Sequence, residues 1–582
     1  MNLSYRKVNK WPEGLWSKRQ ELKHFIFLSS LISWLLLSAA TCSPQADISC
    51  GEIPLKAGPH PQNLIESIAD ASYQTFYVDP SGNDAEDGSQ SKPFRSLKRA
   101  LKEAGEGIRI LLAEGSYYEG SLMLYRGGSA DRPLIIQGKG YNKTQIKGSA
   151  KVDNWEKIGE QVWQRNNWIV NSQQVFVNGE ALQQIGSLSP WNRRKLWDNK
   201  QTLPPVGEGI EDMGLHSFYY DSLEQRLLIM TDVDPNQALV EASTDDFVLD
   251  GQKIDNVHLL DLGLLHTNGT YRGIRSNVLR IGGNAWLLDQ VDIAYGDFSG
   301  IKFGGTKHRI QNSLIRKNGA LGLDGNNGPF RDDATYMDIV IKHCKIEANN
   351  YRKFDPFWHA GGIKVIPAIR GLKIIENIVC ENYGQGIWFD HDLGENDIEG
   401  NWVINNRVGI MYEIAPPIDK EILEYGVRIR NNYVINCQQQ GIYIAGSCNT
   451  LVENNTVLHA WVGIVLHGMP RKNHSLEENI VRKNLIGYSD KSDMILYTGE
   501  GSSENSIDEN FYLDLSDQGR LSFSCTKEKA YTSGFSDLEE VREGSGFELK
   551  GKVGPIKWGY PEKLDLEIPE NHPAYGYGVI KK

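Results

Sequence analysis

From about residue 250 to 490 the chain repeats a short phrase in which a glycine is followed by an apolar, a variable and a second apolar residue. It reads Gly300-Ile301-Lys302-Phe303, Gly362-Ile363-Lys364-Val365, Gly386-Ile387-Trp388-Phe389, Gly409-Ile410-Met411-Tyr412, Gly441-Ile442-Tyr443-Ile444 and Gly463-Ile464-Val465-Leu466, with Gly322-Leu323-Asp324 a shorter copy. Apolar residues two apart point to one face of a strand, so each phrase predicts a short strand with its first and third apolar positions inward. The glycines are separated by 22, 40, 24, 23, 32 and 22 residues. A basic period of 22–24, lengthened where loops enter, is the mark of a solenoid, and a unit this short and rich in Val, Ile and aromatics has room for strands only. Between the phrases Asn377, Asn401, Asn432 and Asn455 recur eight or nine residues before the next glycine. Asparagines at that constant offset can pass side-chain hydrogen bonds from coil to coil. The predicted fold class is therefore all-β, a parallel β-helix.

Outside the repeat the pattern changes. Phe94, Leu97, Leu101 and Ala104 give one apolar face to a helix that would cap the open N-terminal end of the solenoid. Between Val152 and Ala242 the repeat lapses into a Trp-rich stretch (Trp155, Trp163, Trp168, Trp191, Trp197) with strand-like pieces at 174–178 and 226–231, read as an inserted β-rich subdomain or long loops beside a groove. After about 500 the repeat fades, and 535–541 with 555–560 reads as a tail packing back on the coils. The start is different again. Arg6, Lys7, Lys10, Lys18, Arg19 and Lys23 precede an apolar run from Phe25 to Leu37, the order of a secretory signal. Its end, Leu37 to Ser43, resembles a bacterial lipoprotein processing site with Cys42 lipidated. Ordinary cleavage and a retained anchor are the alternatives, and each predicts an extracytoplasmic protein: a periplasmic or outer-membrane-anchored lipoprotein, or a secreted one. The expected organisation is a signal at 1–42, a linker at 43–72, the N-terminal cap and first coils at 73–151, the insert at 152–245, the β-helix with its groove at 246–500, and C-terminal coils and tail at 501–582.

Composition narrows the partners. With 62 basic against 74 acidic residues the chain carries a net charge of −12, which offers no basic tract for nucleic acid. Its 14 Trp exclude disorder, and a mean hydropathy of −0.42 excludes a multi-span membrane protein. Membrane contact is expected only through the N-terminal lipid. The six cysteines other than Cys42 show no Cys-x-x-Cys pair, so neither a zinc site nor a dense disulfide framework is expected, and most read as small buried residues. The acidic loop Asp79–Asp87 could bind Ca²⁺ but lacks ordered ligand spacing and reads more simply as a solvated turn.

If the residue after each repeat glycine faces the core, the next faces outward. Lys302, Asp324, Lys364, Trp388, Met411 and Tyr443 then form one outward row, and Gly304, Asn326, Ile366, Asp390, Glu413, Ala445 and His467 the next. Asp390 and Glu413 fall on equivalent positions 23 residues apart. Strands lie about 4.8 Å apart, so two in-register carboxylates would be roughly 5 Å apart, the separation of a retaining glycosidase pair. Like charges opposite one another destabilise a sheet, so the pair asks for a reason. Two solvated surface acids are the plainer alternative, and a slip of one residue would move both. Trp388 could stack on a sugar ring, and His359, Lys364 and His391 lie in the same or adjacent coils; these, with Lys302 and Asp324, are the candidate substrate-binding residues.

The chain resembles the secreted right-handed parallel β-helix superfamily. The phrases at 358–364 (WHAGGIK), 386–391 (GIWFDH) and 409–414 (GIMYEI) are similar to those of β-helix glycoside hydrolases, particularly a family with xylosidase activity. The resemblance implies Asp390 as nucleophile, Glu413 as acid/base, a plant or algal poly- or oligosaccharide as substrate, and no cofactor. Two readings of other classes stay open: a polysaccharide lyase with Lys302 or Lys364 as base and Ca²⁺ on Asp324, Asp332 and Asp333, and a non-catalytic glycan-binding surface protein.

Overall fold

The computed structural model describes residues 73–186, 207–269, 276–326, 336–367, 369–419, 423–468, 475–497, 502–513 and 537–556, with shorter pieces at 50, 53, 195–196, 200–201, 421, 523–527, 530–535, 566 and 568–580. The signal segment with Cys42, the indoles Trp191 and Trp197, and Asp332 and Asp333 lie outside the described residues.

The chain is a right-handed parallel β-helix. Three sheets, each 13-stranded, run the length of the molecule, and successive coils contribute one strand to each. The sheet made by the repeated phrase contains Ser299–Phe303, Leu321–Gly325, Gly361–Val365, Gln385–Asp390, Val408–Glu413, Gln440–Ala445 and Val462–His467 in that order. Its register aligns the phrases residue for residue: Ile301 pairs with Leu323, Leu323 with Ile363, Ile363 with Ile387, Ile387 with Ile410 and Ile410 with Ile442. These residues, with Phe303, Val365, Phe389 and Tyr412, are buried in one continuous core running along the axis. Stacking like on like lets each coil fill the space above the last at crystal-like density, which is why the period is so strict.

The corners explain the glycines and asparagines together. Asn377, Asn401, Asn432, Asn455, Asn484 and Asn510 form a ladder in which each side-chain amide donates to the next asparagine's Oδ1 at 2.9–3.0 Å. The ladder ends on the buried carboxylate of Glu548, which accepts from Asn510 Nδ2 at 2.7 Å. A second ladder, Asn318, Asn349, Asn382 and Asn406, climbs the corner before the repeat glycines. A Cβ on Gly386 would sit 2.8 Å from the Gly409 carbonyl and 3.0 Å from the Asn406 amide nitrogen. The repeated glycine is therefore required by close approach to the next coil's carbonyl and, from Gly300 to Gly386, to the ladder, not by a special dihedral.

Both ends are closed. The helical turn Leu97–Ala100 is N-capped by Ser96 and buries Leu97 and Ala100; Phe94, Leu101 and Ala104 join them in the core. At the other end 535–541, read as a tail, contains the start of a helix, Leu538–Ser545, whose Leu538 and Val541 plug the last coil. The insert folds mainly as two small sheets, Gln183–Gln184, Ser217–Asp221, Arg226–Met230, Val162–Arg165 and Glu156–Lys157 in one, Glu180–Ala181, Val175–Val177, Val240–Ser243 and Ser149–Lys151 in the other, with Lys195–Leu196 and Lys200–Gln201 pairing separately. They share a core of Trp155, Phe218, Ile229 and neighbours.

Cys50 and Cys380 form a disulfide, which the scattered cysteine spacing does not reveal because the partners are 330 residues apart. Cys50 and Ile53, in the stretch read as a linker, pack on the outside of a sheet with Ile378, Ile404 and Tyr433. Cys344, Cys437 and Cys448 are free and buried.

Candidate active site

The site is built on the outward rows of the repeated sheet, where alternation forces every second side chain away from the core. Asp390 is the register partner of Glu413, on the neighbouring strands Gln385–Asp390 and Val408–Glu413. Neither joins the apolar core, and both retain slight exposure, 7% and 8%. The other row runs Lys302, Asp324, Lys364, Trp388, Met411 and Tyr443, each the register partner of the next.

The side chains interlock across the rows. The Lys364 ammonium lies 3.1 Å from Asp390 Oδ2 and donates to the Trp358 carbonyl at 2.7 Å. Burial lowers its pKa, opposed by the charges of Asp390, Glu413 and Asp324, so all three carboxylates lie within its field. One coil back, Asp324 sits between His359 Nε2 at 3.5 Å and Lys302 Nζ at 3.6 Å. Burial pushes Asp324 up, but His359, Lys302 and Lys364 more than reverse this and hold its carboxyl at about 2. Burial lowers His359, against the pull of Asp324. The imidazole lies flat against Phe298, with ring centroids 5.8 Å apart. The structure thus brings together Lys302, Asp324, His359, Lys364, Trp388, Asp390 and Glu413. His391 follows at the strand end with a positive φ, its backbone N–H donating to the Glu413 carbonyl at 3.1 Å.

Trp388 differs from its expected role as an open stacking platform. Its indole is 3% exposed, packs on Val408 and Met411, and has the Lys364 ammonium 3.3 Å from its ring centroid. The ammonium attracted to the ring quadrupole occupies that face. The outward row is covered for a related reason. The segment 350–360 folds over it, with Phe354 and Ala360 buried against Phe298 and Ala320 and Trp358 beside them. That segment is held by the insert: Tyr351 hydrogen-bonds Gln174, and Arg352 donates to Gln184 while pairing with Asp297 of a coil. The insert thereby fixes the wall that carries His359 and the carbonyl receiving Lys364.

Sequence reasoning missed Asp392, which turns back under the strand end. It is buried, accepts from Asn396, and has a hydrogen bond to Tyr412, while its Oδ1 has no partner. Burial raises its pKa to about 7, and the Asp390 charge adds to the rise. The visible signal was a second acid two residues after Asp390, just beyond the strand Gln385–Asp390. For a metal, the His, Cys, Asp and Glu trio close enough to share an ion among the described residues is Cys50, Glu347 and Cys380, whose thiols are joined in the disulfide. The acidic loop is otherwise engaged: Asp79 accepts from Ser81, Asp84 from Arg95 and Ser96, and Asp87 from Ser89.

Comparison with known proteins supports this architecture. The family described as "Right handed beta helix region" matches residues 277–419 and 420–525, and a family of unknown function, DUF1565, matches 80–122. An uncharacterized protein, YwoF of Bacillus subtilis (strain 168), is 31% identical over 75 residues, 13% of this chain and 16% of that protein, so the match spans about a sixth of the relative's length. Among solved structures, the complex of XylC with xylose superposes with a TM-score of 0.58 at 15% identity, covering 83% of this chain and 86% of that one. A structure described as a glycoside hydrolase covers 86% and 99% at 12% identity with a TM-score of 0.47. At these identities what is shared is the fold.

Proposed function

We propose that the protein is a retaining glycoside hydrolase acting on a plant or algal poly- or oligosaccharide, with a xyloside the first substrate to test. The observation that carries this reading is the register pairing of Asp390 with Glu413 outside the core. Neighbouring strands hold two carboxylates at roughly the 5 Å suited to direct attack by one of them, too close to admit a water between acid and sugar. Lys364 distinguishes the two acids. Its ammonium contacts Asp390 Oδ2 at 3.1 Å, which suits the residue assigned as nucleophile, and Glu413 is assigned as the proton carrier.

In the first step an Asp390 oxygen bonds to the anomeric carbon as the glycosidic C–O bond breaks, and the leaving oxygen takes the Glu413 proton. In the second, Glu413 removes a proton from water, the water oxygen bonds to the same carbon, and Asp390 departs with its electron pair. One glycosidic bond and one water are consumed, and two inversions retain configuration. The xylose reported with XylC, a protein of the same fold, and the similarity of the phrases around Asp390 and Glu413 to a xylosidase family make the pentose the first choice.

The test is hydrolysis of a panel of 4-nitrophenyl glycosides, followed by proton NMR of the first-formed anomer. Retained configuration supports the assignment, and inverted product or turnover undiminished in Asp390→Asn refutes it. Formation of unsaturated uronides, abolished by EDTA, would make the protein a lyase instead. We further propose export with lipidation at Cys42; radiolabelled fatty acid incorporated into wild type but not Cys42→Ser is the expected result.

A further inference from the structure

Beyond Glu413 the outward row continues through Ala445 to His467, successive register partners on the next two strands. Strand spacing makes that roughly 10 Å along the axis. Beside it, Tyr443 is the register partner of Met411. Its ring is wedged between Trp388, Val408 and Met411 on one side and Val462, Val465 and Trp461 on the other. The Tyr443 hydroxyl is 2.7 Å from His467 Nδ1, and the two rings lie nearly parallel at 17°. Unlike Lys364, Trp388, Asp390 and Glu413, both residues are only part-buried. An orientated phenol and imidazole thus stand one and two coils beyond Glu413, with the Ala445 methyl between Glu413 and His467 on the row.

From this arrangement, and resting on the roles given above to Asp390 and Glu413, we infer that Tyr443 and His467 form the subsite for the leaving sugar and recognise a vicinal diol on it. Displacement at the anomeric carbon requires nucleophile and leaving oxygen on opposite sides of that carbon. Asp390 occupies one side, so the departing sugar lies on the Glu413 side, and Glu413 must itself touch the glycosidic oxygen to protonate it. The row fixes the direction: Asp390, Glu413, Ala445, His467. The reacting sugar is thus assigned to the charged half of the groove, with His359 and Lys364, and the leaving sugar to the aromatic half. A hydroxyl hydrogen-bonded to an imidazole offers an acceptor and a donor in fixed relation, the complement of two adjacent sugar hydroxyls. Wedging of the Tyr443 ring means that little side-chain freedom is lost on binding.

The measurement is kcat/KM of wild type, Tyr443→Phe and His467→Ala on two probes, 4-nitrophenyl β-xyloside and xylobiose, extended to the matching aryl glycoside and disaccharide if another sugar is cleaved faster. The nitrophenyl group has no diol. Each substitution is expected to lower the disaccharide value about tenfold, the worth of one hydrogen bond to the departing sugar, and to change the aryl value by less than about twofold. Equal losses on both probes, or no loss on either, overturn the subsite. Tyr443→Phe keeps the packed ring, so its thermal unfolding is expected to match wild type and keeps the test valid should His467→Ala misfold. Failure of the parent reading looks different: Asp390→Asn would then leave both probes turning over, or wild type would cleave no probe of the panel.

Discussion

The two long edges of this solenoid use polar groups in opposite ways. Along the asparagine corners each coil carries the same side chain as its neighbours, and the amides bond to the coils on both sides: Asn432 donates to Asn455 and to the Ile398 carbonyl, and accepts from the backbone and side chain of Asn401. On the outward row of the repeated sheet the coils carry different residues at one position: Lys302, Asp324, Lys364, Trp388, Met411. Repetition satisfies hydrogen bonds by translation, and departure from it leaves charges to pair across rungs. The first edge is the part of the molecule that folds it. The second is the part that differs from coil to coil for a reason other than folding.

The difference is open to direct attack, most strongly at the acid pair. Asp390→Asn is expected to lower kcat by on the order of 10³-fold or more, because no other group replaces the covalent nucleophile. Its melting temperature, measured by circular dichroism, is expected to fall without loss of the fold, because the Lys364 ammonium loses a charged partner but keeps the Trp358 carbonyl. A variant that loses fold and activity together would place Asp390 with the structural edge.

Asp392 tests the boundary between the two kinds of region, since it is buried like a corner residue yet lies two residues from Asp390. Its folded pKa of about 7 stands above the ordinary carboxyl value of 3.8. Below pH 4 both folded and unfolded chains hold the proton and nothing is lost. As pH rises from about 4 to 7 the unfolded chain releases it first, so wild-type stability falls across that window and levels off above it. The full difference is about 4 kcal/mol at most, from three units at 1.36 kcal/mol each. Asp392→Asn cannot ionise, so its melting temperature is expected to gain on wild type steadily between pH 4 and 7. A gap independent of pH would show that Asp392 is ionised throughout.

Asn432→Ala strikes the other edge. It strips partners from the Asn401 amide, the Ile398 carbonyl and Asn455, and is expected to cost about 2 to 4 kcal/mol of stability by urea unfolding while leaving kcat unchanged at 25 °C. A loss of activity at full folding would mean that the corner transmits to the site.

The same contrast explains what was legible in the residues alone. Anything repeated could be read: the inward positions Ile363, Ile387 and Ile410, the ladder from Asn377 to Asn455, and the alignment of position 390 with 413 all follow from period and parity. The second ladder stands 4, 4 and 3 residues before its glycines at Asn318, Asn382 and Asn406 and went unread, only Asn349 being set off by the loop that follows it. Non-repeating contacts were invisible. Neither the tie between Cys50 and Cys380 nor the Arg352 pairing with Asp297 and Gln184 leaves any local trace, because each joins segments far apart in the chain. Parity correctly turned Trp388 outward but could not show that the Lys364 ammonium covers its ring.

The smallest expected effect is the most diagnostic of the groove. Lys302 is about a third exposed, at 32%, and its ammonium stands 3.6 Å from Asp324, which His359 and Lys364 also serve. Such a pair is worth less than about 1 kcal/mol and is open to solvent ions. Lys302→Met is therefore expected to lower the melting temperature slightly in dilute buffer and not at all near 1 M salt, where the screening length is about 3 Å. The Asn432→Ala loss, made of buried neutral hydrogen bonds, should persist unchanged at both salt concentrations. If the Lys302 loss also survives high salt, the row is sealed from solvent at that coil, and a sugar could reach Asp390 only from the Tyr443 and His467 side of the pair.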